Sequence, residues 1–413
     1  MATNVNKIDS NVTGLRIAEE TSIGVLPGTP IWNQYEPNDY KEAGAKITTL
    51  VRNPITDGRQ RKKGVVTDLE AAFGFSSDFT QTNFQDILQG VFFADYRTKA
   101  ERTDIPSVTS SVYNLVSTSG FLVGGLVFGS GFTNTGNNGL HRLTTVTLNT
   151  SITAAETLTA EASPPTESKL VVVGHQFASG DITIDVSGAL PKLVSAAVNL
   201  TTLGLTVGEF VYIGGDIAAH NLVNAVNCGW KRIRSIAAGY IEFDKSVSTM
   251  VTDAGTSKTV RMYFGRKLQN ETGTSIVRRT YQPEISLGVP DTGAPSQVQG
   301  MYMIGAIPNQ FGLNIGTSTK ITCDVSFICT DSETVDGPTG LKAGTRPVLV
   351  DSDAYNTSSD FKRIKMGLVS STDEAVSPLF AYITDFSLTI NNNLKPSKAA
   401  GVLGSFDISA GTF

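Results

Sequence analysis

Three segments of the chain alternate oily and polar residues with a period of two. That period restricts them to β-strands with one dry face and one wet face. In Val65–Phe75, the residues Val65, Leu69, Ala71, Phe73 and Phe75 form the apolar row, while Asp68 and Glu70 point away. In Lys320–Thr330, Ile321, Cys323, Val325, Phe327 and Cys329 oppose Asp324, Ser326 and Thr330. In Ala381–Asn391, Tyr382, Phe386, Leu388 and Ile390 oppose Asp385, Ser387, Thr389 and Asn391. Pro308–Gly316 is a weaker fourth, with Phe311, Leu313 and Ile315 against Gln310, Gly312 and Asn314. A wet face that is acidic, short and free of aromatics adheres poorly. It suits the wall of a conduit, and any solvated sheet could look the same.

The remaining composition agrees with an all-β fold: Thr, Ser, Asn and Val abound, and 40 glycines punctuate the chain at short intervals. At 413 residues and 40% hydrophobic, it is globular, with length for two or three domains. The formal charge is −5, whereas a protein that grips phosphate carries a basic excess. Nucleic acid would pass this chain rather than be held by it. No apolar run reaches the ~20 residues of a membrane-spanning helix. Met1–Ser10 lacks the apolar core of a signal peptide, so synthesis in the cytoplasm is expected. Cys228, Cys323 and Cys329 form no CxxC. The alternation puts Cys323 and Cys329 in the oily row as small hydrophobes, and no structural disulfide is expected.

Leu15–Glu20 opens the ordered chain, and Ile23–Trp32, broken by Gly24, Pro27, Gly28 and Pro30, reads as an extended arm. Ile47–Val51 and Val65–Phe75 read as paired strands joined by a polar loop, residues 53–64. The one helical pattern is Thr82–Phe93, with Phe84, Ile87, Leu88, Val91 and Phe92 on one face and Thr82 or Asn83 as its cap. Residues 113–264 form two weakly similar halves, 113–168 and 169–264. Leu126–Phe132 with Asn137–Leu143 parallels Phe210–Asp216 with Asn227–Ile233. They read as two small β modules, inserted as one block between residues 1–112 and 265–413 of a larger β domain.

The densest positive patch is Arg59, Arg61, Lys62 and Lys63. It fits a solvated hairpin tip or a dock for an acidic surface on a neighbouring subunit. Nucleic-acid binding fits less well, because no aromatics interleave with the charges. His141, His175 and His220 have no Cys or Glu at ligand spacing, so no metal or cofactor site is expected. Gly129-Ser130-Gly131 lacks the rest of a phosphate loop, and no GxSxG occurs. Asp68 and Glu70 read as wet surface carboxylates rather than an acid–base pair. Trp230 reads as the core of its module, with a sugar-stacking platform as the other reading.

Several segments together resemble the major tail tube proteins of long-tailed bacteriophages. They are the opening Arg16–Pro30, Arg59–Arg61, Asn83–Gly90, Arg278–Tyr281, the strand Leu388–Leu394, and the end Gly401–Phe413. The second inserted module, with Val207–Asp216, is similar to an insertion carried by some of these proteins. The resemblance implies no enzyme and no cofactor. It implies a β-sandwich-like domain with a flanking helix, assembled as hexameric rings that stack into a tube in the virion tail. DNA would transit the lumen without specific binding, and tape-measure, terminator and initiator proteins would be the partners.

On this resemblance Asp68, Glu70, Asp324, Ser326, Asp385, Ser387 and Thr389 face the lumen. Arg59, Arg61, Lys62 and Lys63 make contacts between rings, and the arm, with Pro27, Pro30 and Trp32, lies against an adjacent subunit. A block of roughly 150 residues, the size of a domain, leaves no room for a contractile sheath, so a flexible, non-contractile tail is expected. Relatives usually continue with further strands past a Gly-Thr-Phe like Gly411–Phe413. Pairing for the last strand is therefore expected from a neighbour or from chain beyond it. A capsid-decoration protein or adhesin displaying the inserted modules would need neither ring nor lumen. A carbohydrate-active enzyme would need paired carboxylates in a cleft, and no such pair is evident.

Overall fold

The computed structural model describes residues 13–55, 57–58, 62–80, 83–244, 249–287, 299–335, 341–349, 352–360 and 384–410. Their contacts divide into two compact units. One holds the chain up to Asp95 and resumes at Leu268, and the other holds Tyr96–Lys267. The described residues are mostly antiparallel β, with one α-helix.

The first unit opens with β1 (Gly14–Glu19), β2 (Asn33–Tyr35), the long pair β3 (Pro37–Arg52) and β4 (Lys62–Asp78), and α1 (Gln85–Phe92). The second contains β5 (Glu101–Arg102), β6 (Ser107–Thr109), β7 (Val112–Asn114), β8 (Gly125–Ser130), β9 (Gly139–Thr147), β10 (Ser151–Ala154) and β11 (Lys169–Gln176). It continues with β12 (Ile182–Asp185), β13 (Lys192–Ser195), β14 (Phe210–Ile213), β15 (Gly229–Ile236), β16 (Tyr240–Phe243) and β17 (Arg261–Tyr263). The first unit then resumes with β18 (Tyr281–Ser286), β19 (Gly300–Ile304), β20 (Ile307–Gly316), β21 (Thr322–Cys329) and β22 (Asp331–Val335). It closes with β23 (Asp385–Asn391), β24 (Leu394–Ser397) and β25 (Asp407–Ala410).

In the first unit two five-stranded sheets, β2-β1-β18-β19-β22 and β23-β20-β21-β4-β3, share one core. Leu15, Ile17 and Ile285 from one meet Phe73, Phe75, Val325 and Phe327 from the other, the layering of a sandwich. The helix seals this core through Phe84, Ile87 and Val91, and Tyr281 donates its hydroxyl to the Asp86 carbonyl at 2.7 Å. Its start differs from expectation. Phe84, in the left-handed region at φ 55°, is the N-cap, and no side chain caps the helix. Asn83 instead closes the preceding turn, accepting from Thr80 N at 3.1 Å and donating to the Asp78 carbonyl. Thr82 lies outside the described residues.

One expected core residue is placed differently. Thr48 pairs with Asp68 but Thr49 pairs with Val66, so Thr67 is an extra residue in β4. A bulge of this kind inverts the alternation beyond it. Val65 therefore shares the face of Asp68 and is 52% exposed. Thr330 also leaves the wet row: it lies past the end of β21, buried, donating to the Ile304 carbonyl at 2.9 Å. Tyr382 lies outside the described residues.

In the second unit the strand order is palindromic. β6-β7-β10-β9-β8-β11 and β12-β13-β16-β15-β14-β17 follow the same path and join through antiparallel β11 and β17. His175 sits opposite Met262, and Phe177 N to Val260 O matches Phe264 N to Val173 O, both 2.9 Å, a local twofold. β11 follows β8 in the first path as β17 follows β14 in the second, and β6 and β7 hydrogen-bond into this unit.

The turn signals become matching loops. Fully buried Asn137 donates to Thr159 O and Glu161 Oε2 at 2.9 and 3.0 Å. Fully buried Asn227 donates to Val251 O and Asp253 Oδ2 at 2.9 and 3.2 Å. Burial works against both carboxylates, yet the loop donors outweigh it and hold Glu161 and Asp253 below the usual carboxylate range.

Candidate lumen face and assembly surfaces

Cross-strand register builds the wet face of the β23-β20-β21-β4-β3 sheet. Thr389, Gly312, Asp324, Ser76 and Asp39 form one row across it, and Asn391, Gln310, Ser326, Gly74 and Glu42 form the next. Ser387 lies opposite Asn314, and Asp385 opposite Gly316. Glu70 pairs with Lys46, and Asp68 with Thr48. The structure therefore brings all seven residues expected on the wet face onto one surface, and it carries no aromatic side chain among those positions.

The face is less acidic than its strands suggest. Lys41 Nζ lies 2.7 Å from Asp324 Oδ1, Lys320 Nζ 2.7 Å from Asp78, and Lys398 Nζ 2.6 Å from Asp68 and 3.4 Å from Glu70. The Lys398 ammonium holds the Asp68 carboxyl below its usual range. Asn314 Nδ2 adds a hydrogen bond to Asp324 at 2.8 Å. Sequence reading missed these lysines. Lys41 sits in a bulge of a strand whose phase shifts more than once, and Lys398 follows β24, far along the chain from Asp68.

The β3–β4 pair runs beyond the core as a hairpin. Ile47, Leu50, Val51, Val66 and Ile55 are exposed on it, Ile55 completely. Lys62 and Lys63 open β4 and are exposed. Arg59 and Arg61 lie outside the described residues.

The arm is tied to its own chain. Trp32 is fully buried, edge-on to Tyr302 at 5.7 Å, and its indole N–H donates to the Ala343 carbonyl at 3.0 Å. Residues 341–347 strap it down: Thr345 exchanges backbone hydrogen bonds with Pro30 and Trp32, and the Arg346 guanidinium lies 5.4 Å from the indole. Gly344 must be glycine, since a Cβ there would stand 2.5 Å from Pro30 O and 2.7 Å from Trp32 Nε1. Below the strap, fully buried Glu284 takes Arg346 at 3.1 and 2.6 Å and Tyr302 OH at 2.8 Å, with Arg16 at 3.8 Å. Pro30 is buried and Pro27 half-buried, so the arm presents Val25, Pro27 and Ile31 outward.

On the inserted unit the core reading of Trp230 is corrected. The pairing of β14 with β15 turns Trp230 outward, 56% exposed and edge-on to Tyr212 at 5.5 Å. Its neighbour Lys231 points inward instead, donating to the Val226 carbonyl at 3.1 Å. Cys228, Cys323 and Cys329 are free thiols. Among the described residues no cluster of His, Cys, Asp and Glu could hold a metal ion, and no helix is long and apolar enough to cross a membrane.

The described residues thus form an antiparallel β protein with one sheet that is dry on one face and polar, partly ion-paired, on the other. The family model for the phage tail tube protein matches residues 10–413, and the chain belongs to that family. It is a structural, non-enzymatic component of the virion tail, of a kind that assembles into oligomeric tubes. A search of the curated proteins found no match.

Proposed function

We propose that the chain polymerises as stacked hexameric rings into the tail tube, and that the wet face of the β23-β20-β21-β4-β3 sheet lines a lumen through which DNA passes during ejection. The observation that carries this reading is the sheet itself: one face dry, one face wet and free of aromatics, with β23 and β3 at its two edges. Joining edges around a ring removes strand edges that would otherwise pair without control. Asp68, Glu70, Asp324, Ser326, Asp385, Ser387 and Thr389 then face DNA. Their lysine partners cancel part of the charge, leaving a surface that neither grips phosphate nor repels it strongly.

Lys62 and Lys63, with Arg59 and Arg61, serve contacts between rings. The arm contributes Pro27 to a neighbour, with Pro30 and Trp32 as its anchors. A domain-sized insertion in every subunit favours a non-contractile tail, with tape-measure, terminator and initiator proteins as partners. The exposed Tyr212–Trp230 pair supports host-surface contact as an added role for the inserted unit.

Negative-stain electron microscopy of the concentrated protein tests the reading. Hollow tubes of six-subunit rings are expected. Rings of another order would revise the symmetry, and solid filaments would refute the conduit.

A further inference from the structure

The solvent face of β14, β15 and β17 gathers aromatic rings and guanidinium groups, in a chain whose net charge is −5. Register sets Trp230, Tyr212 and Tyr263 in one row across the three strands, and Arg232 opposite Phe210 in the next. Phe210, Tyr212 and Trp230 are exposed, and Tyr263 is half-buried. The Tyr212 and Trp230 rings meet at 76°, so they form a corner with one ring as floor and the other as wall. The fold does not require these aromatics. In the first half Leu140 stands where Trp230 does, and buried Leu126 where Phe210 does.

Charge around the corner is one-sided. The charged residues that share this face on the three strands are Arg232, Arg234 and Arg261, with no Asp or Glu among them. Arg261 is engaged: its Nε donates to Gln176 Oε1 at 2.8 Å, and Asp216 lies 3.8 Å away. Arg232 is held by the buried Asp244 at 2.7 Å, yet its side chain stays 40% exposed. A guanidinium clamped on one side keeps its planar fork oriented, and that fork matches a carboxylate in bidentate geometry. The acid nearest by register, Glu242 opposite Ser235, is shared between Ser235 Oγ at 3.2 Å and Lys192 at 3.9 Å.

We propose that this face binds an acidic polysaccharide, with a pyranose ring stacked in the Tyr212–Trp230 corner and its carboxylate on Arg232. A pyranose has a face of C–H groups that suits an aromatic ring, and a polar rim that suits the arginines beside it. The proposal names the ligand chemistry of the host-surface contact put forward above, and rests on that reading for its biological role. Single-stranded nucleic acid also uses aromatics and cations, but it needs a run of cations that tracks its backbone. Here Arg261 is already engaged, and Asp216 beside it, 79% exposed, would repel phosphate while accepting from sugar hydroxyls.

Fluorescence titration of the full chain with polygalacturonate tests the site. Of the two tryptophans Trp32 is fully buried, so a change in emission reports Trp230. Saturable quenching is expected, and Tyr212→Ala and Arg232→Lys should each weaken it roughly tenfold. Neutral dextran and an oligothymidylate should bind more weakly than polygalacturonate. Equal binding of dextran would overturn the acidic class, and tighter binding of the oligothymidylate would overturn the polysaccharide in favour of nucleic acid. A Tyr212→Ala variant that binds like the wild type would overturn the corner as the site. Adsorption of assembled tubes to host cells separates the two readings. Adsorption that needs Tyr212, without polygalacturonate binding, overturns the ligand and keeps the host contact. Binding without Tyr212-dependent adsorption supports the site and removes its host role.

Discussion

Lys41 and Asp324 meet at 2.7 Å on the wet face, brought together by a bulge that adds Lys41 to β3 opposite the Phe75–Gly74 step. Both side chains are partly solvated, so the pair contributes at most about 1 kcal/mol. Its importance is to the sign of the surface. Asp324→Lys should leave melting within a few degrees of wild type, yet turn this row basic. Tubes of that variant are expected to retain short duplex DNA at low salt and release it as salt rises. Equal retention by wild-type and variant tubes would remove charge from the account of the lumen.

Glu284 is the buried charge on which the arm's anchorage depends. Glu284→Ala leaves Arg346 and Arg16 without their carboxylate beneath the strap, and losing one partner of a buried pair costs about 3–5 kcal/mol. Urea unfolding should show that loss, with tube formation failing at temperatures where the wild type assembles. A change under 1 kcal/mol would mean the strap is held by the Trp32 contacts alone.

What the sequence revealed followed from periodicity. β20, β21 and the core-facing part of β4 sit where alternation put them, because a buried face fixes register. β3 was legible only as Ile47–Val51. It is exposed on both faces and bulged, so nothing forces its residues to alternate. The lysine partners were illegible for a different reason: Lys398 reaches Asp68 across most of the chain, a contact made by topology rather than pattern. Trp230 was misplaced because a single large aromatic reads as core. Its facing was set by the β14–β15 pairing, which buries Lys231 in its stead.

The thiols give a direct probe of the first unit's core. Burial pushes the Cys323 thiol up to about 12 and Cys329 higher, so neither is a nucleophile at neutral pH. Cys228 is half-buried and its thiol is also raised. At pH 8 a maleimide or disulfide reagent should label Cys228 slowly and the other two only after unfolding. Prompt labelling of Cys323 or Cys329 in the native protein would show that the core opens locally.

The inserted unit should lose stability in mild acid. His175 lies at the centre of the joint between its halves, buried, edge-on to Phe177 at 4.8 Å, with Nδ1 lacking a hydrogen bond. Burial pushes its pKa down to about 4, against the opposing pull of Asp181. Unfolded, the imidazole titrates near 6.5, so the unfolded state binds the extra proton between those values and stability falls as pH falls through that window. The expected loss is about 2 kcal/mol from pH 7 to pH 5. His220, also lowered chiefly by burial, acts in the same direction. Chemical unfolding at both pH values, followed by fluorescence of Trp230, reads the change. His175→Gln removes the proton, so it should reduce the pH slope even though it costs some stability at pH 7. An unchanged slope in that variant would place the acid sensitivity elsewhere than at the His175–Met262 joint.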